Sequence, residues 1–271
     1  MSEYKLIAFD MDGTLLDSGK KISPVTLAAV NSALAEGKHV VLCTGRGVAE
    51  LRDFLPLMPE LRYVVCVSGA LVYDVMDGKV IYSCPVPRDT VSKILNLTKP
   101  YDIMIQFLTS DKSVVEREKQ RRMKDYQMSV YQSMYDDIVT HCDDIREYFE
   151  EHESEIYKVN LYHTDADSRL ITKSLFKDLE IESVFSERTS LECTALGISK
   201  GSGLSELCKY LSLDMSEVIA VGDADNDLDV LSRAGLAIAM GNANDNVKRT
   251  ADKIVADNDH DGCAEALAFL D

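Results

Sequence analysis

Asp10 and Asp12, in the run Asp10-Met-Asp-Gly-Thr-Leu15, are the first residues whose types and spacing point to chemistry. They follow a short apolar segment. In extended chain, residues two apart face the same side, so both carboxylates can address one ligand. Such a pair can divide labour as nucleophile and general acid/base. Gly13 lets the backbone turn away sharply, and Thr14 can hydrogen-bond into that turn. A second acidic group, Gly222-Asp-Ala-Asp-Asn-Asp-Leu-Asp229, also follows an apolar run and has the donors of a hard-cation site. Asp there also favours a helix N-terminus on dipole grounds alone. Neither group is an EF-hand loop. The sixth and twelfth positions are Leu15 and Lys21 counted from Asp10, and Leu228 and Ala234 counted from Asp223, where such a loop needs Gly and Glu.

Two further motifs gain meaning beside these carboxylates. Thr44-Gly45-Arg46 offers a hydroxyl and a backbone N–H where a strand turns into a helix, a corner that can hold a phosphate. Alone, the same residues are ordinary turn chemistry. Lys200 lies in Gly197-Ile-Ser-Lys-Gly-Ser-Gly203, at a helix start where a lysine is normally solvated. A carboxylate and a phosphate charge about 4 Å apart repel by roughly 4 kcal/mol at a surface-like dielectric. A site built on Asp10, Asp12 and Asp223 therefore accepts a phosphate only if cations offset it, and Mg²⁺ and Lys200 are the candidates. Transfer of the phosphoryl group then relies on positioning and electrostatics.

The elements that must position these residues are legible from periodicity. Residues 5–9, 40–43 and 63–67 are continuous apolar runs of the kind buried on both faces of a parallel sheet. Ser23-Pro24 opens a helix that Gly37 stops, and a short helix is expected over 48–55. Residues 218–221 and 236–239 repeat the buried-strand pattern, with a helix from about 227 to 233 between them and a last short strand at Ile254-Val255. Alternation of this kind predicts an α/β fold, a Rossmann-like doubly wound parallel sheet, with ligands beyond the carboxyl ends of its strands. Asp77-Gly78 marks a hairpin between 70–74 and 79–83. Residues 102–108 and 156–162 read as half-exposed strands in a different, α+β region. The expected organisation is a core from 1–83 and 190–271, with an inserted domain over 84–189.

Composition bounds the rest. The 271 residues are 46% hydrophobic and 28% charged, ordinary for a globular protein, and no stretch approaches a membrane span. The N-terminus lacks a signal-peptide pattern, so a cytoplasmic location is expected. Seven cysteines without a C-x-x-C pair, several inside apolar runs, predict buried thiols rather than disulfides or zinc. A net charge of −17 argues against nucleic acid as a partner. The mixed charges of 116–124 and the acidic stretch 143–155 are read as solvated surface; the tyrosines Tyr101, Tyr126, Tyr131 and Tyr135 either line a pocket of the inserted region or pack its interior.

Taken together and in this order, the four motifs make the chain resemble the haloacid dehalogenase superfamily, specifically its Cof-type class IIB phosphatases; Ala237-Ile-Ala-Met-Gly-Asn-Ala243 resembles a C-terminal signature of that subfamily. The resemblance implies Mg²⁺-dependent hydrolysis of small phosphate monoesters, sugar phosphates first, through an aspartyl-phosphate on Asp10. It implies that Asp12 is general acid and base and lends its backbone carbonyl to the metal. Asp10 and Asp223 are the other metal ligands, with Asp227 nearby. Thr44, Gly45, Lys200 and Asn226 hold the phosphoryl oxygens. The insert becomes a cap that selects a small phosphorylated metabolite. Ser68 stands where relatives commonly carry Asn, which leaves any contact made by that Asn open. A sugar phosphomutase and a non-catalytic sugar-phosphate sensor are the alternative readings.

Overall fold

The computed structural model describes residues 4–270. Numbered along the chain, β1 (Leu6–Phe9), β2 (His39–Cys43), β3 (Tyr63–Cys66), β4 (Leu71–Asp74) and β5 (Lys79–Ser83) come first. Next are β6 (Met104–Leu108), β7 (Ser113–Glu116), β8 (Val139–Cys142), β9 (Lys158–Tyr162), β10 (Ile181–Val184) and β11 (Ser190–Ala195). The last are β12 (Val218–Gly222), β13 (Leu236–Ala239) and β14 (Lys253–Ile254).

They form two sheets, in the orders β14-β13-β12-β1-β2-β3-β4-β5 and β10-β11-β9-β6-β7-β8. In the first, every pair from β14 to β3 is parallel, and β3, β4 and β5 run antiparallel at one edge. β1, β2, β3, β12 and β13 are almost wholly buried apolar chain, which explains why they read as continuous rather than alternating runs. The strand order reverses between β1 and β12, which are hydrogen-bonded neighbours although 209 residues separate Phe9 from Val218 (218 − 9). Such a switch point opens a crevice at the carboxyl ends of the strands, where ligands bind.

The chain divides into two compact units. One takes the chain through Gly45, Arg52–Ser83 and Ser199 onward; the other comprises Arg46–Leu51 and Cys84–Ile198. Three details differ from the sequence reading. Residues 190–198 group with the second unit, because β11 pairs with β9 and β10, not with the first sheet. The expected helix over 48–55 is two short 3₁₀ turns, Val48–Leu51 and Leu55–Leu57, the first grouped with the second unit. Finally, β6 and β9 are buried at every residue rather than half-exposed. One face of their sheet presents Ile105, Phe107, Val159, Leu161, Leu191 and Cys193 to an apolar core. Gln106, Lys158 and Asn160 on the other face are buried too, and Tyr135 OH donates to Gln106 Oε1. All seven cysteines are free.

Candidate active site

β1 ends in four buried apolar residues and delivers Asp10 to the sheet edge, where its backbone N–H donates to Val221 O of β12 at 3.0 Å. The extended strand stops at Phe9, so the same-side argument does not carry to Asp12. The chain turns instead, closed by Leu15 N donating to Asp10 O and Leu16 N to Met11 O. Gly13 sits at φ +87°, and a Cβ there would meet Asp223 Oδ2 at 2.5 Å, so this turn needs glycine for its conformation and for space. Thr14, 1% exposed, donates its hydroxyl to Asp223 Oδ1 at 2.8 Å. Its hydrogen bond therefore ties the two acidic motifs together instead of closing its own turn.

β12 is buried throughout and supplies Asp223 directly after Gly222. Asp227 folds back over this strand end: its Oδ2 accepts from the N–H groups of Asp223 and Ala224 at 2.9 and 3.1 Å. Its Oδ1 accepts from Lys200 Nζ at 2.6 Å, so both oxygens are engaged. Lys200 Nζ also reaches Asp10 Oδ1 at 2.5 Å.

Lys200 opens a helix, Lys200–Leu211, behind a reciprocal capping box of Ser199 and Ser202. A cation in the first turn opposes the helix dipole, and burial adds a desolvation cost. Yet Lys200 is 1% exposed. Burial works against its ammonium, but Asp10 and Asp227 outweigh burial and hold its pKa well above the usual value. Two buried carboxylates are the reason that an ordinarily solvated residue lies inside.

Oxygens of Asp10, Asp223 and Asp227 lie within 4.8 Å of one another. Burial, with Asp227 and Asp223 adding, raises the Asp10 pKa well above the carboxylate range. Burial first and Asp227 second push Asp223 up to about 6. Three carboxylates against one ammonium leave a formal deficit of two positive charges (3 − 1). An all-oxygen donor set with that deficit fits a hard divalent cation. With both Asp227 oxygens committed, Asp10 and Asp223 are the side chains available to ligate it.

The other expected residues lie on the same unit. Thr44 and Gly45 follow β2, beside β1; Thr44 is 1% exposed, its N–H donating to Val65 O and its carbonyl accepting from Ser68 N. Asn226 lies in the turn Asp225–Asp227, and its Oδ1 is buried without a hydrogen-bond partner. Asp12 is turned to Lys20, Nζ to Oδ1 2.9 Å, both about a quarter exposed (26% and 29%). Its charge is still felt at Asp223. Sequence reasoning missed Lys20, which sits at φ 60°, and Asn242, whose amide donates to Gly13 O at 2.8 Å. Asn242 lies inside the 237–243 signature and could have been flagged; nothing in the sequence marks Lys20.

A fold with carboxylates and one buried lysine at its switch point defines a class, and the family comparison agrees: residues 7–267 match the haloacid dehalogenase-like hydrolases, and the chain belongs to that family. It is 30% identical, over 98% of its length and 95% of the relative's, to the Bacillus subtilis 5-amino-6-(5-phospho-D-ribitylamino)uracil phosphatase YcsE. A haloacid dehalogenase-like hydrolase from Bacteroides thetaiotaomicron superposes with a TM-score of 0.85 at 27% identity, covering 98% of this chain and 99% of that one. A subclass IIB sugar phosphatase shares the fold, with a TM-score of 0.81 at 22% identity over 97% and 98% of the two chains. Within that family the chain is a phosphatase, a phosphoric monoester hydrolase. No helix among the described residues is long and apolar enough to cross a membrane.

Proposed function

We propose that the protein hydrolyses small, hydroxyl-rich phosphate monoesters, sugar phosphates foremost, in two steps through an aspartyl-phosphate on Asp10, with Mg²⁺ as cofactor and in the cytoplasm. The observation that carries this reading is the group of buried Asp10, Lys200 and Asp227 with half-buried Asp223, in which Lys200 joins two carboxylates at 2.5 and 2.6 Å. In the first step an Asp10 oxygen attacks phosphorus while Asp12 gives a proton to the departing alcohol oxygen. In the second, Asp12 takes a proton from water as its oxygen attacks the same phosphorus, which frees inorganic phosphate and restores Asp10.

The Asp10 and Asp223 carboxylates and the Asp12 carbonyl would hold Mg²⁺, which supplies charge neutralisation for the phosphoryl oxygens when bound. Asp227 orients Lys200, and Lys200 offsets charge on the transferring group. Thr44 Oγ1 and the Gly45 N–H donate to phosphoryl oxygens. Asn226 joins them once its amide turns end for end, which sets Nδ2 where the unpartnered Oδ1 now lies. The second unit serves as the cap that chooses the organic group. The Bacillus subtilis relative is named for an ester with a ribityl chain, a polyol, in keeping with this substrate class.

Asp10→Asn is the test. Phosphate release from p-nitrophenyl phosphate and a panel of sugar phosphates, with Mg²⁺, should fall by about 10⁴-fold or more, within the range that loss of a nucleophile produces, while circular dichroism stays unchanged. Residual activity within tenfold of the parent enzyme would rule out Asp10 as the nucleophile.

A further inference from the structure

The hydrolysis uses Asp12 twice, first to give a proton and then to take one. An aspartate side chain has two rotatable bonds and does not keep one direction by itself. Lys20 Nζ meets its Oδ1 at 2.9 Å, with the two side chains 26% and 29% exposed. A pair as exposed as this contributes little to stability. Its use lies in direction, because the chain between the two residues is held at both ends.

At the near end, Thr14 N and Leu16 N both donate to Met11 O, and Leu16 O accepts from Asn258 Nδ2 at 2.9 Å. At the far end, Lys20 N donates to Asp17 O, Asp17 N to Lys21 O and Lys21 N to Asp17 Oδ1, at 2.9, 2.8 and 2.9 Å. Asp259 clamps this second turn from outside: its Oδ1 accepts from Ser18 N at 2.8 Å and its Oδ2 from Ser18 Oγ at 2.7 Å. Lys20 itself takes φ 60°, left-handed backbone that glycine or asparagine adopts more easily than lysine. The turn calls for that conformation, but nothing in it calls for a lysine. A cation eight residues from Asp12 is thus delivered to one of its oxygens by backbone with little freedom to move.

We infer that Lys20 is a positioning residue for Asp12: by holding Oδ1 it places the exchanging proton on Oδ2 and keeps that oxygen in one direction through both steps. The ammonium can hold Oδ1 in either state of the group, since Oδ1 is a carboxylate oxygen when Asp12 is ionised and the carbonyl oxygen when it is protonated. In the first step the Oδ2–H bond breaks as the bond from phosphorus to the alcohol oxygen breaks, and the proton goes to that oxygen. In the second, a water proton passes to Oδ2 as the water oxygen bonds to phosphorus and the bond from phosphorus to Asp10 breaks. Lys20 makes and breaks no bond. It sets where the transfers occur, and a small misplacement of the acid slows them steeply. The inference rests on the phosphatase reading.

Phenyl phosphate and p-nitrophenyl phosphate test it, because they are alike in shape while unsubstituted phenolate is the more basic leaving group and needs the proton more. With Mg²⁺, Lys20→Met should lower kcat/KM for phenyl phosphate by about tenfold and for p-nitrophenyl phosphate by about threefold or less, since this ratio reports the steps up to loss of the alcohol. Lys20→Arg, which keeps a donor for Oδ1, should stay within about threefold of the parent on both esters. Lys20→Ala should behave as the methionine variant does, and replaces it if that variant folds poorly. An equal fall for the two esters means a merely structural role and overturns the inference. So does an unchanged value for phenyl phosphate, or an arginine variant as slow as the methionine one. Any of these results beside an active parent overturns this inference alone; a parent that releases phosphate from neither ester overturns the phosphatase reading, and the inference with it.

Discussion

Lys200 concentrates the energetic logic of the site. It is a cation at the wrong end of a helix, fully buried, and kept charged by Asp10 and Asp227. Removing one partner of a buried charge pair typically costs 3–5 kcal/mol, because the remaining charges are left uncompensated. Lys200→Met therefore leaves three clustered carboxylates with no cation of their own. Thermal denaturation in EDTA should show a melting temperature several degrees lower, and excess Mg²⁺ should recover more of the loss than it adds to the unsubstituted protein. A variant as stable as its parent in EDTA would mean that the cluster is mostly protonated when metal-free and that Lys200 neutralises little charge.

At the level of elements, the site depends on how closely the Lys200–Leu211 helix approaches the turn after β3. Val67, Ser68 and Gly69 take positive φ in succession, 52°, 56° and 95°. A β-branched residue in this region is strained, and strain of this kind gathers at functional sites. At Gly69 a Cβ would come within 1.9 Å of Ser199 O, the backbone just before Lys200. Gly69→Ala must push the helix start outward and add backbone strain. We expect a loss of about 3 kcal/mol or more in urea-unfolding free energy, together with weaker Mg²⁺-dependent activity because Lys200 moves with Ser199. A change below 1 kcal/mol would show that this approach is loose. Ser68 at φ 56° also bears on the departure from the family pattern: Asn is the non-glycine residue best suited to left-handed backbone, so serine gives up that local ease.

Over the whole molecule, a charge of −17 acts as a field rather than as pairs. Among the described residues most ion pairs are exposed and contribute little each, whereas the like charges repel at longer range. Raising NaCl from about 20 to 200 mM shortens the screening length from roughly 20 Å to below 10 Å, so the melting temperature should rise by a few degrees. A fall would mean that local pairs outweigh self-repulsion. The same field repels polyanions at long range.

Features written in local stretches of chain were legible before the fold was known. Apolar runs ending in Asp10, Thr44 and Asp223, the Asp77-Gly78 hairpin and the Ser23-Pro24 helix start are short-range patterns, each decided by residues within a few positions. Their order along the chain was enough for the family. Other features arise from pairing across long separations and leave no local trace. The second stretch of the core was expected to begin at residue 190, yet β11 joins the second sheet, because its partners β9 and β10 lie there. Asp12 meets Lys20 only once the chain turns at Gly13. Gln106 and Asn160 alternate with apolar neighbours as half-exposed strands do, and the tyrosines admitted pocket lining and packing equally. Burial of that face emerges when Glu50, Tyr135 and Tyr162 converge on Gln106 from three distant segments.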